Sequence, residues 1–187
     1  LDLEESGPRL PDGTWSLQER AVRVLLIGAG RMGLVHAIAL SRLKGIVLDG
    51  IVDINPSATT FLSRIGIAAP SYRSLEEALK QRQPDAAVIA TPPASHLPLT
   101  RSCLQRGLAV MVEKPMAVYD AQLHVYERLG REYPTLPVQV GWVMPRCPQI
   151  NSCIKKLRAG EYGNVQSFVG VSLLSSIHRR SANRWEV

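Results

Sequence analysis

The sequence contains no apolar run that could cross a membrane, because none approaches the ~18 residues that a spanning helix needs. Residues 1–20 carry both acids and bases and lack the apolar core of a secretory signal. Both absences argue against a membrane-embedded or secreted protein. We therefore predict a cytoplasmic protein in which residues 1–20, with their glycines and prolines, form a flexible leader.

Cysteine is scarce, and the positions of the three cysteines match no zinc-site spacing: Cys103, Cys147 and Cys153. Their odd number also argues against a disulfide framework. We therefore expect reduced thiols and no metal site, with a catalytic thiol as the alternative.

Aromatic residues make up only 5% of the chain, which leaves few side chains that could stack on nucleic-acid bases. The formal net charge is +6, but the basic residues are spread along the chain and form only small clusters. A solvated basic surface therefore explains the charge better than a nucleic-acid partner does. Part of this charge could attract a phosphorylated cofactor.

Short apolar runs alternate with helical patterns from residue 22 to residue 142. The predicted strands cover residues 22–27, 46–53, 85–90, 109–112 and 137–142. The predicted helices cover residues 32–43, 57–64, 96–106 and 119–132, and a short helix follows a capping box at residues 74–77. This alternation predicts right-handed βαβ units and an α/β fold with a doubly wound parallel sheet of the Rossmann type. The strands read as continuous apolar runs because helices cover both faces of such a sheet.

The pattern changes near residue 145, which divides the chain into two predicted parts. Residues 21–145 are expected to form a dinucleotide-binding domain. Residues 146–187 contain one predicted helix at 148–158, a turn, and one predicted strand at 165–174. One helix and one strand cannot bury a core alone, so we expect the start of an incomplete α+β domain for substrate binding or oligomerisation.

A glycine fingerprint joins the first predicted strand to the first predicted helix. Residues 28–33 match G-x-G-x-x-G in that context and are the expected pyrophosphate-binding turn: Gly28, Ala29, Gly30, Arg31, Met32 and Gly33. The alternative is a glycine-rich turn without a ligand. Asp53 follows the last of these glycines by twenty residues, where an acid accepts hydrogen bonds from an adenine-ribose diol. Because no arginine follows Asp53 directly, NAD(H) is favoured over NADP(H), which is the alternative cofactor.

Two further motifs follow the fingerprint in order. Residues 90–96 read A-T-P-P-A-S-H after a predicted strand, and residues 112–115 read V-E-K-P at the end of the next strand. Together with the glycine fingerprint, they resemble the Gfo/Idh/MocA oxidoreductases, the family of glucose–fructose oxidoreductase and inositol dehydrogenase. The resemblance extends over residues 21–175.

This resemblance implies roles for individual residues. Thr91, Pro92 and His96 would line the nicotinamide side of the cofactor crevice, while Glu113 and Lys114 would lie beneath the nicotinamide and its ribose. Lys114 is the expected catalytic residue, because an ammonium group at the mouth of the sheet can polarise a substrate oxygen or take part in proton transfer. The alternatives are a surface lysine at 114 and a histidine with only local hydrogen bonds at 96.

The resemblance also implies a function: hydride transfer between NAD(P) and a sugar, a polyol or a related hydroxy or keto compound. The alternative is a dinucleotide-binding module without catalysis. Met144 and Pro145 stand where the family usually has an arginine, and Arg146 is displaced from that place. The family's later aspartate and histidine motif is not found, and His178 does not lie in such a motif, so the chain resembles a C-terminally truncated member that is inactive as given. The expected partners are a small-molecule substrate and further copies of the chain, bound through the C-terminal sheet.

Overall fold

The computed structural model describes residues 20–142, 147–167 and 169, and it divides the chain into two units, Leu1–Val143 and Met144–Val187. Within the described residues of the first unit, six strands form one sheet: β1 (Val22–Ile27), β2 (Ile46–Val52), β3 (Ser71–Tyr72), β4 (Ala86–Ile89), β5 (Ala109–Val112) and β6 (Val138–Val140). Every neighbouring pair is parallel, and the spatial order is β3-β2-β1-β4-β5-β6. This confirms the predicted doubly wound sheet of the Rossmann type.

The order of the strands reverses between β1 and β4. These two strands lie side by side, with Ile27 opposite Ile89 at their carboxyl ends. The chain leaves them in opposite directions across the sheet, which opens a crevice above the carboxyl ends, and open α/β sheets bind their ligands there. The fold therefore places the glycine turn after β1 next to the A-T-P-P segment after β4.

Helices cover both faces of the sheet: α1 (Arg31–Leu40), α2 (Pro56–Arg64), α3 (Leu75–Gln81), α4 (His96–Leu104) and α5 (Asp120–Glu132). Side chains alternate along β1, so that Leu25 packs in one core with residues of α3, α4 and α5, and Leu26 packs in a second core with residues of α1 and α2. Both leucines are fully buried. None of the described helices is long and apolar enough to span a bilayer.

The observed elements differ from the predicted ones mainly at their ends. The helices predicted to reach residues 43 and 106 end at Leu40 and Leu104, because the chain turns there toward Gly45 and Gly107, which both have positive φ. The strand predicted at residues 137–142 is limited to Val138–Val140. Strand β3 was not predicted, since two residues are too few to show a pattern.

The described part of the second unit consists of helix α6 (Pro148–Arg158) and the turn that follows it. The helix coincides with the predicted one and has no buried residue. Of the strand predicted at 165–174, residues 165–167 and 169 are described and are not in a strand; its other residues lie outside the described ranges. The predicted leader up to residue 19, residues 144–146 and His178 also lie outside them.

Candidate dinucleotide site

Two glycines allow the turn between β1 and α1 to close tightly. Gly28 has a φ of +96°, and a Cβ there would lie 2.7 Å from the carbonyl oxygen of Ala90. A Cβ on Gly33 would lie 2.0 Å from the carbonyl oxygen of Gly28. A side chain at either position would therefore collide with backbone, and the start of α1 packs directly on the turn.

Gly30 has the opposite environment. It is the N-cap of α1, and no heavy atom lies within 4 Å of the position that a Cβ would take. The N–H groups of the first helical turn have no partners within the helix, and the first turn carries no acidic side chain. Ala29 is buried, whereas Arg31 and Met32 are exposed at the start of the helix. The turn thus offers backbone donors and a partial positive charge to an anion that approaches the open space at Gly30.

Asp53 connects the end of β2 to the glycine turn. Its Oδ2 accepts a hydrogen bond from the N–H of Ala29 at 2.6 Å, and its Oδ1 accepts one from the N–H of Asn55 at 2.7 Å. Each carboxylate oxygen has a second lone pair that can accept a further hydrogen bond. Asp53 therefore fixes the turn and still presents acceptors and a negative charge to the space above the sheet.

A single cleft of about 790 Å³ joins these features within the first unit. This volume falls in the range of roughly 300–1,000 Å³ that is usual for small-molecule sites. Of the predicted site residues, the cleft is lined by Gly28, Gly30, Asp53, Thr91 and Pro92. The glycine turn, the end of β2 and the segment after β4 therefore share one binding space.

The wall beside Asp53 comes from residues that the sequence analysis missed. Strand β3 pairs with β2 and places Arg73, Ser74 and Glu76 along the same cleft as Asp53. The N–H of Arg73 donates to Glu77 at 2.8 Å, while its side chain is exposed. The capping box at 74–77 was the available signal, since it marks the start of a helix and therefore the end of the preceding βα connection.

His96 holds two loops together beneath the cleft. Its ring is 1% exposed, with Nε2 2.8 Å from the carbonyl oxygen of Thr91 and Nδ1 2.9 Å from the carbonyl oxygen of Pro115. The resemblance implied that His96 lines the crevice; in this structure, His96 is not among the residues that line the cleft. The ring instead connects the loop after β4 to the loop after β5.

Glu113 and Lys114 follow β5 and have contrasting environments. The carboxylate of Glu113 is buried and lies 2.8 Å from Nε2 of His36 on α1, while Lys114 is exposed at the carboxyl edge of the sheet. The peptide bond between Lys114 and Pro115 is cis. His36 was also missed, because a lone histidine in an apolar helix carries no pattern of its own.

The cysteine of the first unit, Cys103, is not suited to act as a nucleophile. Burial raises the pKa of the Cys103 thiol to about 12, so that this buried cysteine stays neutral and is a poor nucleophile. No group of three or more His, Cys, Asp or Glu side chains in the described ranges is arranged to hold a metal ion.

The sheet order, the glycine turn and the acid after β2 define a dinucleotide-binding α/β domain. The profile of an oxidoreductase family with an NAD-binding Rossmann fold, Gfo/Idh/MocA, matches residues 22–135. The chain belongs to this family.

Curated relatives support the same family assignment. The chain is 27% identical over 143 residues to the rhizopine catabolism protein MocA of Rhizobium meliloti, covering 76% of this chain and 44% of that protein. It is 30% identical over 166 residues to an inositol 2-dehydrogenase of Mycolicibacterium smegmatis, covering 86% of this chain and 45% of that one. The chain therefore spans less than half the length of these curated relatives.

Solved structures show the same fold. The scyllo-inositol dehydrogenase of Lactobacillus casei, solved with NAD(H) and scyllo-inositol, superposes with a TM-score of 0.71 at 18% identity, over 78% of this chain and 43% of that chain. The WlbA dehydrogenase of Bordetella pertussis, solved with NADH and UDP-GlcNAcA, superposes with a TM-score of 0.67 at 28% identity, over 77% of this chain and 44% of that chain.

Proposed function

We propose that this chain provides the cofactor-binding part of an NAD(H)-dependent oxidoreductase that acts on a hydroxyl or keto carbon of a sugar, a polyol or a related small molecule. The observation that carries the proposal is the open space at Gly30, which lies on the same cleft as the carboxylate of Asp53. The names of the relatives, which include inositol dehydrogenases and a dehydrogenase solved with a nucleotide sugar, support the substrate class.

The residues present fit a dinucleotide. A pyrophosphate would be held at the first turn of α1, where residues 30–33 supply backbone N–H groups and only a glycine at 30 leaves the space free. The adenine ribose would be held by Asp53, and the nicotinamide end would lie toward Thr91 and Pro92. Hydride transfer is the chemistry that the cofactor supplies when bound.

The charged side chains around the adenine-ribose position favour NAD(H), although one of them acts in the opposite direction. A 2′-phosphate on the adenine ribose would meet the carboxylate of Asp53, and like charges repel. Glu76, on the same cleft, adds to this repulsion, whereas the exposed guanidinium of Arg73 opposes it. We therefore expect NADH to bind more tightly than NADPH, with NADPH as a weaker ligand.

We assign Lys114 the catalytic role on the substrate side. Lys114 is exposed just after the carboxyl end of β5. Strand β5 lies next to β4, and the chain leaves β4 toward Thr91. From there the lysine ammonium group can donate a hydrogen bond to a substrate oxygen and stabilise negative charge on that oxygen during hydride transfer.

Titration of the chain with NADH tests the proposal, and Gly30→Ala provides a sharp variant. Its backbone φ of −69° suits any residue and its Cβ meets no protein atom, so the variant should fold normally. The added methyl group should nevertheless weaken NADH binding, because it occupies the space proposed for the pyrophosphate.

Gly130→Ala is the matched control, since it makes the same change at an exposed position of α5 where a Cβ also meets no atom. Its NADH affinity should equal that of the unaltered chain. Absence of NADH binding, or equal affinity in the Gly30→Ala and Gly130→Ala chains, would contradict the proposed site.

A further inference from the structure

Two histidines from different helices, the half-buried His36 and the buried His96, hold the segment that carries Lys114. His36 on α1 contacts the side chain of Glu113, and His96 at the start of α4 contacts the carbonyl oxygen of Pro115. The two contacts lie on the residues immediately before and after Lys114. The lysine side chain itself is exposed, so the contacts of its two neighbours in the chain determine how its backbone is held.

The contact between His36 and Glu113 belongs to a closed arrangement around one carboxylate. Glu113 is 7% exposed, and a carboxylate buried to this extent needs partners because an unpaired buried charge is costly. Its Oε1 lies 2.8 Å from Nε2 of His36, and its Oε2 accepts a hydrogen bond from the N–H of Lys114 at 3.1 Å. A Cβ on Gly141 would lie 3.2 Å from the same Oε1, so the glycine at this position leaves room for the carboxylate.

The backbone on both sides of the lysine side chain is thereby fixed. The N–H of Lys114 is bonded to Glu113, which His36 holds in place, and the carbonyl group of Pro115 is bonded to His96. These bonds set the direction in which the lysine side chain leaves the sheet. Supporting hydrogen bonds of this kind help to hold a functional side chain near its productive geometry.

We propose that His36 is a positioning residue. It holds the carboxylate of Glu113 against the N–H of Lys114, and it thereby directs the lysine ammonium toward the nicotinamide end of the cofactor. The proposal rests on the function proposed above, because it assigns His36 a role that acts through Lys114.

A spectroscopic experiment on the whole chain reads out the direction of the lysine. Reductive methylation with ¹³C-formaldehyde labels the five lysines and keeps their charge: Lys44, Lys80, Lys114, Lys155 and Lys156. The signal of Lys114 is identified by its absence from the Lys114→Arg chain. Addition of NADH should shift this signal in the unaltered protein, and the NADH affinity is measured separately by fluorescence.

His36→Leu should lose most of this NADH-induced shift, since leucine leaves the carboxylate of Glu113 without its donor. His36→Gln should retain the shift, because a glutamine amide can donate to Glu113 in place of the ring N–H. His124→Leu is the matched control: His124 lies 3.6 Å from Glu127 in an exposed pair on α5, and its loss should leave the lysine signal unchanged. If His36→Leu fails to fold, the same loss is expected when Glu113→Gln is added to remove the buried charge.

A full shift in a His36→Leu chain that binds NADH would overturn the positioning role. If the unaltered chain binds no NADH, the proposed function fails, and hydrogen exchange at the amide of Lys114 decides the positioning role. Exchange there should be about tenfold faster in His36→Leu, the scale of one hydrogen bond to a charged acceptor. Equal exchange in the His36→Leu and unaltered chains would overturn it.

Discussion

The packing of α1 on the glycine turn makes a prediction about Gly33. An added Cβ would lie 2.0 Å from the carbonyl oxygen of Gly28, a distance that real Cβ contacts essentially never show. Because both elements are backbone, the helix must move away from the turn, and overpacking of this kind costs about 1–3 kcal/mol or more. Alanine in a helix recovers about 1 kcal/mol relative to glycine. We expect Gly33→Ala to lower the free energy of unfolding by about 2 kcal/mol.

The same substitution at Gly130 should have the opposite sign. A Cβ there meets no atom within 4 Å, and Gly130 lies in the last turn of α5, so we expect Gly130→Ala to raise the free energy of unfolding by about 0.5 kcal/mol. Urea unfolding of the purified chain without NADH, followed by circular dichroism, measures both values. A Gly33→Ala chain as stable as the unaltered one would refute the close packing of the helix on the turn.

Three further predictions concern charge. Asp53→Ala should narrow the preference for NADH over NADPH, and Arg73→Ala should widen it. Titrations of each chain with NADH and with NADPH at low salt measure this preference; an unchanged ratio of the two dissociation constants would show that neither residue selects the cofactor. In a complete, active form of the protein, Lys114→Ala should lower turnover by ~10²-fold or more with little change in NADH affinity, and retained turnover would reduce Lys114 to a surface residue. Although burial opposes it, hydrogen bonds from the Arg23 N–H and the Arg20 guanidinium lower the pKa of Asp85 below its usual 3.8. The stability that Asp85 contributes is thus present above pH ~4 and is lost as the pH falls through the lowered pKa of the folded protein. The free energies of unfolding of the Asp85→Asn and unaltered chains should therefore differ at pH 7 and converge in acid. A difference that does not change with pH would contradict this prediction.

The sheet could be predicted because its strands are buried on both faces and therefore appear as continuous apolar runs. Residues 22–27 and 109–112 were predicted with the bounds that the structure shows for β1 and β5. Strand β3 could not be predicted, because it is formed by two residues whose pairing with β2 is a tertiary event. Local pattern thus identifies a strand only where the strand is long enough to show it.

The candidate site divides in the same way. The glycine turn and Asp53 could be identified from spacing, since both lie at strand ends of one βαβ unit. Arg73 reaches the site through the sheet order, and His36 reaches Glu113 across 77 residues of sequence. The sequence around Arg73 and the sequence around His36 show no pattern that predicts these contacts, because the contacts form only in the assembled fold.

The bonds of Asp53 have a consequence for how cofactor preference can change in evolution. Because its carboxylate also holds the N–H groups of Ala29 and Asn55, a mutation there alters selectivity and loosens the glycine turn together. Arg73 is joined to its neighbours through its backbone N–H, and its exposed side chain can be exchanged with little effect on stability. A lineage can therefore strengthen its preference for NAD(H) by exchanging Arg73 at little cost in stability, whereas a change toward NADP(H) requires substitution of Asp53 and becomes accessible only to a protein with surplus stability.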